Sequence, residues 1–406
     1  MSRTRSLIGY YGGKSAMSHF IADQLDYKNT NTYIEMFGGG ARVLLNKPRH
    51  NIEIYSDYSS SLCSLMELMA DPRQSNELIH RIYNTEYSQE EFDRAKHIVD
   101  FVDTDPIQYY GQCMERELQK LFKEAGIIGP NSNIRSVQKI TKEEKKLSAL
   151  LKYLDQKPEH EKKDILNHLK KLLDIYDDLQ MQEEKYGANE RNLYNEDLGT
   201  PYTPMDAAVA AYVVYTQSRD NMGQYWSQEK FKGNDSYHKH MHNLYDCADR
   251  LRNVNVFNLD AMSFFSPYYL NASGNNISRW LEDPSIMMYA DPSYISPVDE
   301  SRILKKREKK STQESEDSSQ SKLESKSPKD LGKTVYAKSF SYSQQENFLG
   351  CIVNAKCKMM VSNYDLQLYN KYLNPNTGWR KITYETKTTV GSAKDNRRTE
   401  CLWCNF

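Results

Sequence analysis

The spacing of apolar residues near the start of the chain predicts the opening of a parallel α/β sheet. Residues 33–46 combine a short apolar strand, a glycine turn and the start of a helix. Residues 51–58 alternate apolar and polar side chains, which is the period of a strand, and carry Asp57 near their end. Two strands joined by a turn and a helix form a βαβ unit, so we expect parallel strands here.

The same strand-then-acid pattern recurs later in the chain. Apolar residues at 254–257 lead to Asp260, and the apolar run 286–290 leads directly to Asp291. Further strand patterns are found at 358–365, 381–390 and 401–406.

Between these strand patterns the chain is mainly helical in character. Residues 61–200 are highly charged and show helical periods, most clearly where apolar residues recur after Pro158. Residues 205–218 are apolar enough for a buried helix. The apolar positions that define the helix after Pro158 are Ile165, Leu169, Leu172, Leu173 and Tyr176.

Residues 301–333 differ from the rest in having almost no apolar side chains after Leu304. Serine, lysine and glutamate dominate this segment. Such a composition buries too little surface to offset the entropy of ordering, so it predicts a disordered loop.

Composition narrows the class of protein only a little. The 406 residues carry a formal net charge of -1, which neither favours nor excludes a nucleic acid partner, because basic groups can cluster on one face. Seven scattered cysteines indicate a reducing compartment. The N-terminus lacks a secretory apolar run, and no stretch approaches the roughly 18 apolar residues of a membrane span, so we expect a cytoplasmic protein with no membrane partner.

Two sequence features suggest sites that the spacing argues against. Residues 9–15, GYYGGKS, have one residue too few before the Gly-Lys pair for a phosphate-binding P-loop, and no strand precedes them. Cys401 and Cys404 form a C-x-x-C pair, but no second ligand pair stands nearby, and a strand would point the two thiols to opposite sides. We therefore expect no bound metal.

Three further features can bind a nucleoside-like ligand, although each also has a plain structural explanation. The run FGGG at 37–40 follows a strand, where glycines let the backbone approach a ligand or simply make a turn. Asp57, at the end of the second strand, can accept hydrogen bonds from ribose hydroxyls or cap a helix.

The third feature, Asp291-Pro292-Ser293-Tyr294, follows a strand and suits an aromatic amine as substrate. The nitrogen lone pair of such an amine is delocalised into the ring, so the amine is a poor nucleophile. A carboxylate and a backbone carbonyl that accept its two hydrogens localise the lone pair for attack on an activated methyl group, while Tyr294 can stack on the ring. The alternative is an ordinary Asp-Pro turn.

Taken in order, these motifs resemble the Dam-like, alpha-group adenine-specific DNA amino-methyltransferases. YYGGK at 10–14 resembles the N-terminal cofactor motif of that family, EMFGGGA at 35–41 its acid-then-F-x-G-x-G motif, and Asp57 its ribose-binding acid. D-P-S-Y resembles the catalytic D-P-P-Y, with Ser293 in place of the second proline. Residues 336–349, 361–365 and 397–406 resemble the segments that follow in the family.

The resemblance implies an α/β fold, with a Rossmann-like S-adenosylmethionine-dependent methyltransferase sheet and an inserted, mainly helical DNA-recognition domain. Residues 1–60, 250–300 and 334–406 would form the catalytic domain, and 61–249 the helical and target-recognition domain. Asp291, Pro292 and Tyr294 would be catalytic. The residues implied to bind S-adenosylmethionine are Tyr10, Lys14, Glu35, Phe37, Gly38, Gly40, Asp57, Asp260 and Asp291. The candidates for contacting double-stranded DNA are Arg219, Asn221, Gln224, Lys230, Lys232 and Lys239.

The implied reaction is site-specific methylation of the N6 amino group of adenine, with the base flipped out of the duplex. Other amino-methyltransferases, acting on cytosine, RNA or protein glutamine, are the first alternative, and a non-catalytic DNA-binding regulator on this scaffold is the second. Methylation of a cytosine ring carbon is excluded, because it needs a cysteine next to a proline and the chain has no Pro-Cys pair. The sequence leaves open the target site, the oligomeric state and a cognate restriction endonuclease as partner.

Overall fold

A computed structural model shows two compact units within the chain. One unit contains residues 1–96 and 207–406, and the other contains residues 97–206. The structure describes residues 5–15, 17–104, 114, 117–129, 144–170, 173, 202–232, 241–265, 277–314, 340–387 and 397–406.

A seven-stranded sheet with the order β3-β2-β1-β4-β5-β7-β6 forms the first unit. The first five strands are parallel, and β7 runs antiparallel to both β5 and β6. This arrangement confirms the predicted Rossmann-like α/β sheet. The strands are β1 (Thr32–Met36), β2 (Ile52–Asp57), β3 (Asn255–Asn258), β4 (Ile286–Ala290), β5 (Lys358–Tyr364), β6 (Arg380–Lys387) and β7 (Arg397–Cys404).

The central strands are apolar because both faces of the sheet are covered. Every residue of β4 is buried, and so are the five middle residues of β5. Parallel strands in this position appear as continuous apolar runs in the sequence, which is why 286–290 could be predicted. One core of the unit packs Ile34, Met288 and Val361 of these strands against Phe348 and Trp403.

Twelve α-helices have bounds within the described parts of the chain. They are α1 (Ser18–Gln24), α2 (Arg42–Asn46), α3 (Ser60–Ala70), α4 (Gln74–Tyr83), α5 (Gln89–Asp103), α6 (Glu144–Leu154), α7 (Pro204–Gln217), α8 (Glu229–Lys232), α9 (Leu244–Leu251), α10 (Pro297–Glu314), α11 (Tyr342–Ile352) and α12 (Gln367–Tyr372). None of the helices described is long and apolar enough to cross a membrane.

Helices α3 and α9 belong to the unit that contains the sheet, although residues 61–249 were expected to form a separate domain. Almost all of α3 is buried, and it packs against β2, β3 and α9. Arg250 of α9 donates two buried hydrogen bonds to the carboxylate of Glu53 on β2, at 2.7 and 2.9 Å. The second unit therefore consists of residues 97–206 and not of residues 61–249.

The second unit, residues 97–206, has a small helical core of its own. Phe122 and Leu121 pack with Leu150 and Leu154 of α6. Residues 159–170 are helical, as the apolar spacing predicted, and Ile165 and Leu169 pack against this core. Leu173 is exposed, and Leu172 and Tyr176 lie outside the described residues.

Helix α10 corrects the prediction of a disordered loop over 301–333, because residues 301–314 are helical. Ile303 and Leu304 pack on the core, and the buried carboxylate of Glu300 accepts from the backbone N–H groups of Gln367 and Leu368 at 2.9 and 2.8 Å. The helix is anchored at its start, and the lysines and glutamates that follow have good helix propensity. Residues 315–333 lie outside the described part of the chain.

Candidate active site

The predicted site residues that follow β1, β2 and β4 meet at one edge of the sheet. In the register of the parallel strands, Met36 pairs with Ala290 and Glu35 pairs with Tyr55. The glycine turn at 37–40 and the turn beginning at Asp291 therefore leave the sheet side by side. This edge, at the carboxyl ends of the strands, is where open α/β sheets bind their ligands.

The glycine turn is tightly packed against β2. The Gly38 N–H donates to the Ser56 carbonyl at 2.9 Å, and a Cβ on Gly38 would lie 2.2 Å from the buried ring of Tyr55. Phe37 and Ala41 adopt left-handed backbone angles, with φ of 55° and 50°. The close approach to Tyr55 explains why glycine is required at position 38.

Asp57 connects the end of β2 to the glycine turn. One carboxylate oxygen accepts from the Gly39 N–H at 2.8 Å, and the other accepts from the Ser59 N–H at 2.8 Å. The N-cap of α3 is Ser59, whose side chain accepts from Leu62 N–H, so the helix-capping explanation of Asp57 does not hold. These bonds hold the carboxylate at the edge of the sheet formed by the carboxyl ends of the parallel strands.

Tyr10 covers the glycine turn from the N-terminal segment. A Cβ added to Gly39 would lie 2.7 Å from the Tyr10 ring, and one added to Gly40 would lie 3.0 Å from the Tyr10 Cβ. The centroid of the Tyr10 ring is 5.3 Å from that of Tyr215. Phe37 packs on the other aromatic groups nearby, with its ring 5.1 Å from Phe340.

A cluster of charged and aromatic side chains surrounds Lys14, which is only 7% exposed. Its Nζ lies 2.8 Å from Asp291 Oδ1, 3.0 Å from the Gly12 carbonyl oxygen and 4.0 Å from Glu400 Oε2. The same nitrogen lies 4.3 Å from the centroid of the Tyr294 ring. The N-terminal motif and the D-P-S-Y motif, far apart in sequence, thus meet through one ammonium group.

Asp291 is also held from the neighbouring strand. Ser362, on β5, donates from its hydroxyl to Asp291 Oδ1 at 2.6 Å, and the hydroxyls of Tyr289 and Ser362 are 3.0 Å apart. Both Tyr289 and Ser362 are buried. The side chains of Lys14 and Ser362 therefore fix the carboxylate of Asp291.

The turn after Asp291 is fixed by hydrogen bonds at Ser293, the position where the family motif has proline. The Ser293 hydroxyl accepts from the Phe340 N–H at 2.7 Å. The Ser293 carbonyl accepts from Nε2 of buried Gln345 at 2.8 Å, and Oε1 of Gln345 accepts from the Tyr369 hydroxyl at 2.9 Å. These bonds constrain the backbone in a place where a second proline would otherwise do so.

Glu35 lies below the glycine turn and is only 3% exposed. Its Oε2 accepts from the Tyr33 hydroxyl at 2.7 Å and from the Leu44 N–H, in the first turn of α2, at 2.6 Å. Burial outweighs these bonds and raises the pKa of Glu35 from its ordinary value of 4.5 to about 7.

We expect this shifted pKa to make the stability of the protein depend on pH in a way that Glu35→Gln removes. Between pH 4.5 and about 7 the native state holds a proton that the unfolded chain has released. The contribution to stability is therefore complete below pH 4.5 and is lost as the pH rises through 7, by roughly 3 kcal/mol. The glutamine oxygen can still accept from Leu44.

The measurement is the free energy of unfolding by denaturant at about pH 5 and about pH 8 for both proteins. The parent should lose more stability than Glu35→Gln over this interval. Parallel losses in the two proteins would show that Glu35 does not titrate in this range.

Comparison with known families adds to this geometry. The model of the D12 class N6 adenine-specific DNA methyltransferases matches residues 10–254, which is more than half of the chain. The chain belongs to this family. It is a DNA adenine methyltransferase with an α/β sheet, as the sequence motifs indicated. No curated protein is similar enough to the chain to be matched.

Asp260 lies at the same edge of the methyltransferase sheet as Asp57. It follows β3, where Asn258 pairs with Asp57, and its Oδ1 accepts from the Met262 N–H at 2.8 Å. Its predicted role in binding S-adenosylmethionine stays a prediction. Near the opposite end of the sheet, Cys401 and Cys404 are buried in β7, and among the described residues no group of histidines, cysteines and acids is placed to hold a metal.

The residues predicted to contact DNA differ in their exposure and in their partners. Arg219 and Gln224 are exposed on the segment between α7 and α8, beside Tyr225, which is 72% exposed. Asn221, in contrast, accepts from Lys230 Nζ through its side chain, and its carbonyl accepts from the Tyr11 N–H at 3.2 Å. The side chain of Lys232 and the whole of Lys239 lie outside the described residues.

Sequence reasoning missed Ser362 and Glu400. Ser362 stands in an apolar strand, and Glu400 precedes the apolar residues of β7. Polar residues at these places were the available signal. Both lie in segments that the resemblance covered, 361–365 and 397–406, but it gave neither residue a role, so only the contacts with Asp291 and Tyr294 single them out.

Proposed function

We propose that the protein transfers a methyl group from S-adenosylmethionine to the N6 amino group of adenine at a specific site in double-stranded DNA. The observation that supports this best is the contact of Lys14 with Asp291, at the sheet edge where the glycine turn and Asp57 also lie. Family membership supports adenine over cytosine, RNA and protein glutamine.

The chemistry of the residues at this edge fits S-adenosylmethionine. Its ribose hydroxyls suit the carboxylate of Asp57, and its carboxylate suits an ammonium group such as Lys14. Its positive sulfonium is compatible with the carboxylate of Asp291. Tyr10, Phe37 and the backbone of Gly38 and Gly40 would hold the rest of the molecule, with Glu35 supporting the turn from below and Asp260 near the adenine. When bound, the cofactor supplies an activated methyl group.

The residues of the D-P-S-Y turn then act on the target base. Asp291 accepts a hydrogen bond from one N–H of the adenine amino group, and the Pro292 carbonyl accepts a hydrogen bond from the other, so the nitrogen lone pair is directed at the methyl carbon. Tyr294 stacks on the flipped base. Placing the acceptors in advance costs no reorganisation during the reaction, which is how such sites gain most of their rate.

Flipping the base costs a few kcal/mol, which contacts to the DNA must offset. The exposed side chains of Arg219 and Gln224 suit contacts to phosphates or base edges. Lys232 and Lys239 stay candidates for the same role. Asn221 and Lys230 bind one another, so we assign them first to holding this segment in place. We further propose that the enzyme is cytoplasmic, with a cognate restriction endonuclease as a candidate partner.

The experiment that tests this function is expression in a host free of DNA methylation, followed by modification-sensitive sequencing of the host DNA. The expected result is N6-methyladenine at one sequence motif, absent from cells that carry the empty vector. Methylated cytosine would identify a different amino-methyltransferase. Unmodified DNA, together with cofactor binding by the purified protein, would support the alternative of a non-catalytic DNA-binding regulator.

A further inference from the structure

We propose that Glu400, on β7, is a positioning residue that holds Tyr294 and Lys14 in their working geometry. This inference rests on the proposed function. Glu400 Oε2 accepts from the Tyr294 hydroxyl at 3.1 Å and lies 4.0 Å from Lys14 Nζ. It therefore contacts two of the groups that surround Asp291, although the family resemblance gave it no role.

The position of Glu400 in the sheet favours such a role over a solvated carboxylate. Strand β7 lies between β5 and β6, and Glu400 pairs with Tyr364 of β5 on one side and with Tyr384 of β6 on the other. Its side chain is 17% exposed, and the four residues that follow it in the strand are fully buried. A carboxylate in this setting loses much of its hydration and needs partners inside the protein.

Glu400 provides one of three contacts that fix the Tyr294 ring. The Glu400 carboxylate accepts a hydrogen bond from the Tyr294 hydroxyl. The ring of Tyr364 packs edge-on against the Tyr294 ring, with their centroids 4.8 Å apart and an angle of 75° between their planes. The Lys14 ammonium lies 4.3 Å from the centroid of the Tyr294 ring. Burial and the negative charges of Asp291 and Glu400 raise the pKa of Tyr294 well above its ordinary value. The phenol therefore stays protonated, and its hydroxyl donates a hydrogen bond to Glu400. A ring fixed in this way is prepared for stacking on a base.

Glu400 is also the second carboxylate, after that of Asp291, that lies close to the positive charge of Lys14. The ammonium lies 2.8 Å from Asp291 and 4.0 Å from Glu400. In the proposed reaction Asp291 must accept a hydrogen bond from the adenine amino group. A second carboxylate beside Lys14 keeps its charge compensated while Asp291 is engaged with the substrate.

The test compares Glu400→Ala and Glu400→Gln with the parent in kcat/KM for DNA methylation. The alanine variant should lose about 10- to 100-fold, since both the acceptor for Tyr294 and the charge near Lys14 disappear. The glutamine variant should recover part of the loss, because its oxygen still accepts from Tyr294. A matched control is Glu385→Gln on β6, whose carboxylate accepts from the Thr399 hydroxyl at 2.7 Å and should leave activity within about twofold.

A double-mutant cycle with Tyr294→Phe separates positioning from a general structural effect. If Glu400 acts through the Tyr294 hydroxyl, the combined variant should lose much less than the product of the two single losses. Multiplying losses, or a Glu400→Ala variant as active as the parent, would overturn the inference.

The activity of the unsubstituted parent protein distinguishes a failure of the proposed function from a failure of the proposed role of Glu400. A parent that methylates adenine, with an unaffected Glu400→Ala variant, refutes the role of Glu400 alone. A parent that transfers no methyl group refutes the proposed function and with it the catalytic role of this contact. In that event the same cycle, run on the unfolding equilibrium constant, still tests the contact, and a coupling below about twofold would refute it.

Discussion

Replacing Asp291 with alanine is expected to lower the rate of methyl transfer by at least about 100-fold while the protein stays folded. The carboxylate is the proposed acceptor of an amino hydrogen, and no other acid among the described residues lies closer to Lys14 Nζ than Asp291, at 2.8 Å. Glu400, the next acid, is 4.0 Å from that nitrogen and bonded to Tyr294, so it cannot take over the role.

The measurement is a single-turnover assay with a methyl-labelled cofactor and duplex DNA, with circular dichroism as the test of folding. Asp291→Asn refines the result, because it keeps one acceptor oxygen and the shape of the side chain but removes the charge. Its rate should lie between those of the alanine variant and the parent. Labelling by the alanine variant at the rate of the parent would remove Asp291 from the mechanism.

A matched control for the Asp291 variants is Asp365→Asn. Asp365 follows β5 and accepts from Lys381 Nζ at 3.0 and 3.1 Å, so this substitution also breaks an ion pair. The pair is on the surface, where such bridges contribute at most about 1 kcal/mol. Activity within about twofold of the parent is expected. A large loss here would mean that any broken ion pair of this sheet edge disturbs the enzyme.

The second large effect is expected from Gly38→Ala, which should destabilise the fold by about 2–3 kcal/mol and prevent cofactor binding. The new Cβ would lie 2.2 Å from the ring of Tyr55. That ring is fully buried and its hydroxyl donates to the Gly39 carbonyl at 2.9 Å, so neither the ring nor the turn can move without breaking this bond. Denaturant unfolding and calorimetric titration with S-adenosylmethionine measure the two losses.

Gly350→Ala provides the opposite expectation from the same chemical change. Gly350 lies within α11, and nothing stands within 4 Å of the position of an added Cβ. Alanine there should raise stability by about 0.5–1 kcal/mol, because glycine is costly inside a helix. If both variants behave alike, the close contact between Gly38 and Tyr55 is not what limits the turn.

Much of the sheet and the placing of its acids followed from the amino-acid sequence alone. Buried parallel strands have a distinctive apolar pattern, which located β1, β2 and β4 together with the residues at their carboxyl ends. Because those ends share one edge, the sequence also predicted that Asp57 and Asp291 lie at the same edge of the sheet. The order of the motifs predicted the family, and the family match confirmed it.

The boundaries of the helical regions depended on tertiary contacts. The residues after Leu304 are hydrophilic, which predicts disorder. Helix α10 nevertheless extends to Glu314, because Glu300, Ile303 and Leu304 anchor its first turns. In the same way, the burial of α3 and the Arg250–Glu53 ion pair place these residues with the sheet. Burial by residues that are distant in sequence can override local composition, and a local sequence pattern carries no information about such distant contacts.

The partners of the reactive groups were decided only by the folded chain. Lys14 comes from the first motif, Ser362 from β5 and Glu400 from β7, yet all three surround Asp291 and Tyr294. Local periodicity shows which face a residue occupies, but it does not show which distant side chain lies opposite. That pairing depends on strand order and register, which the packing of the whole sheet determines.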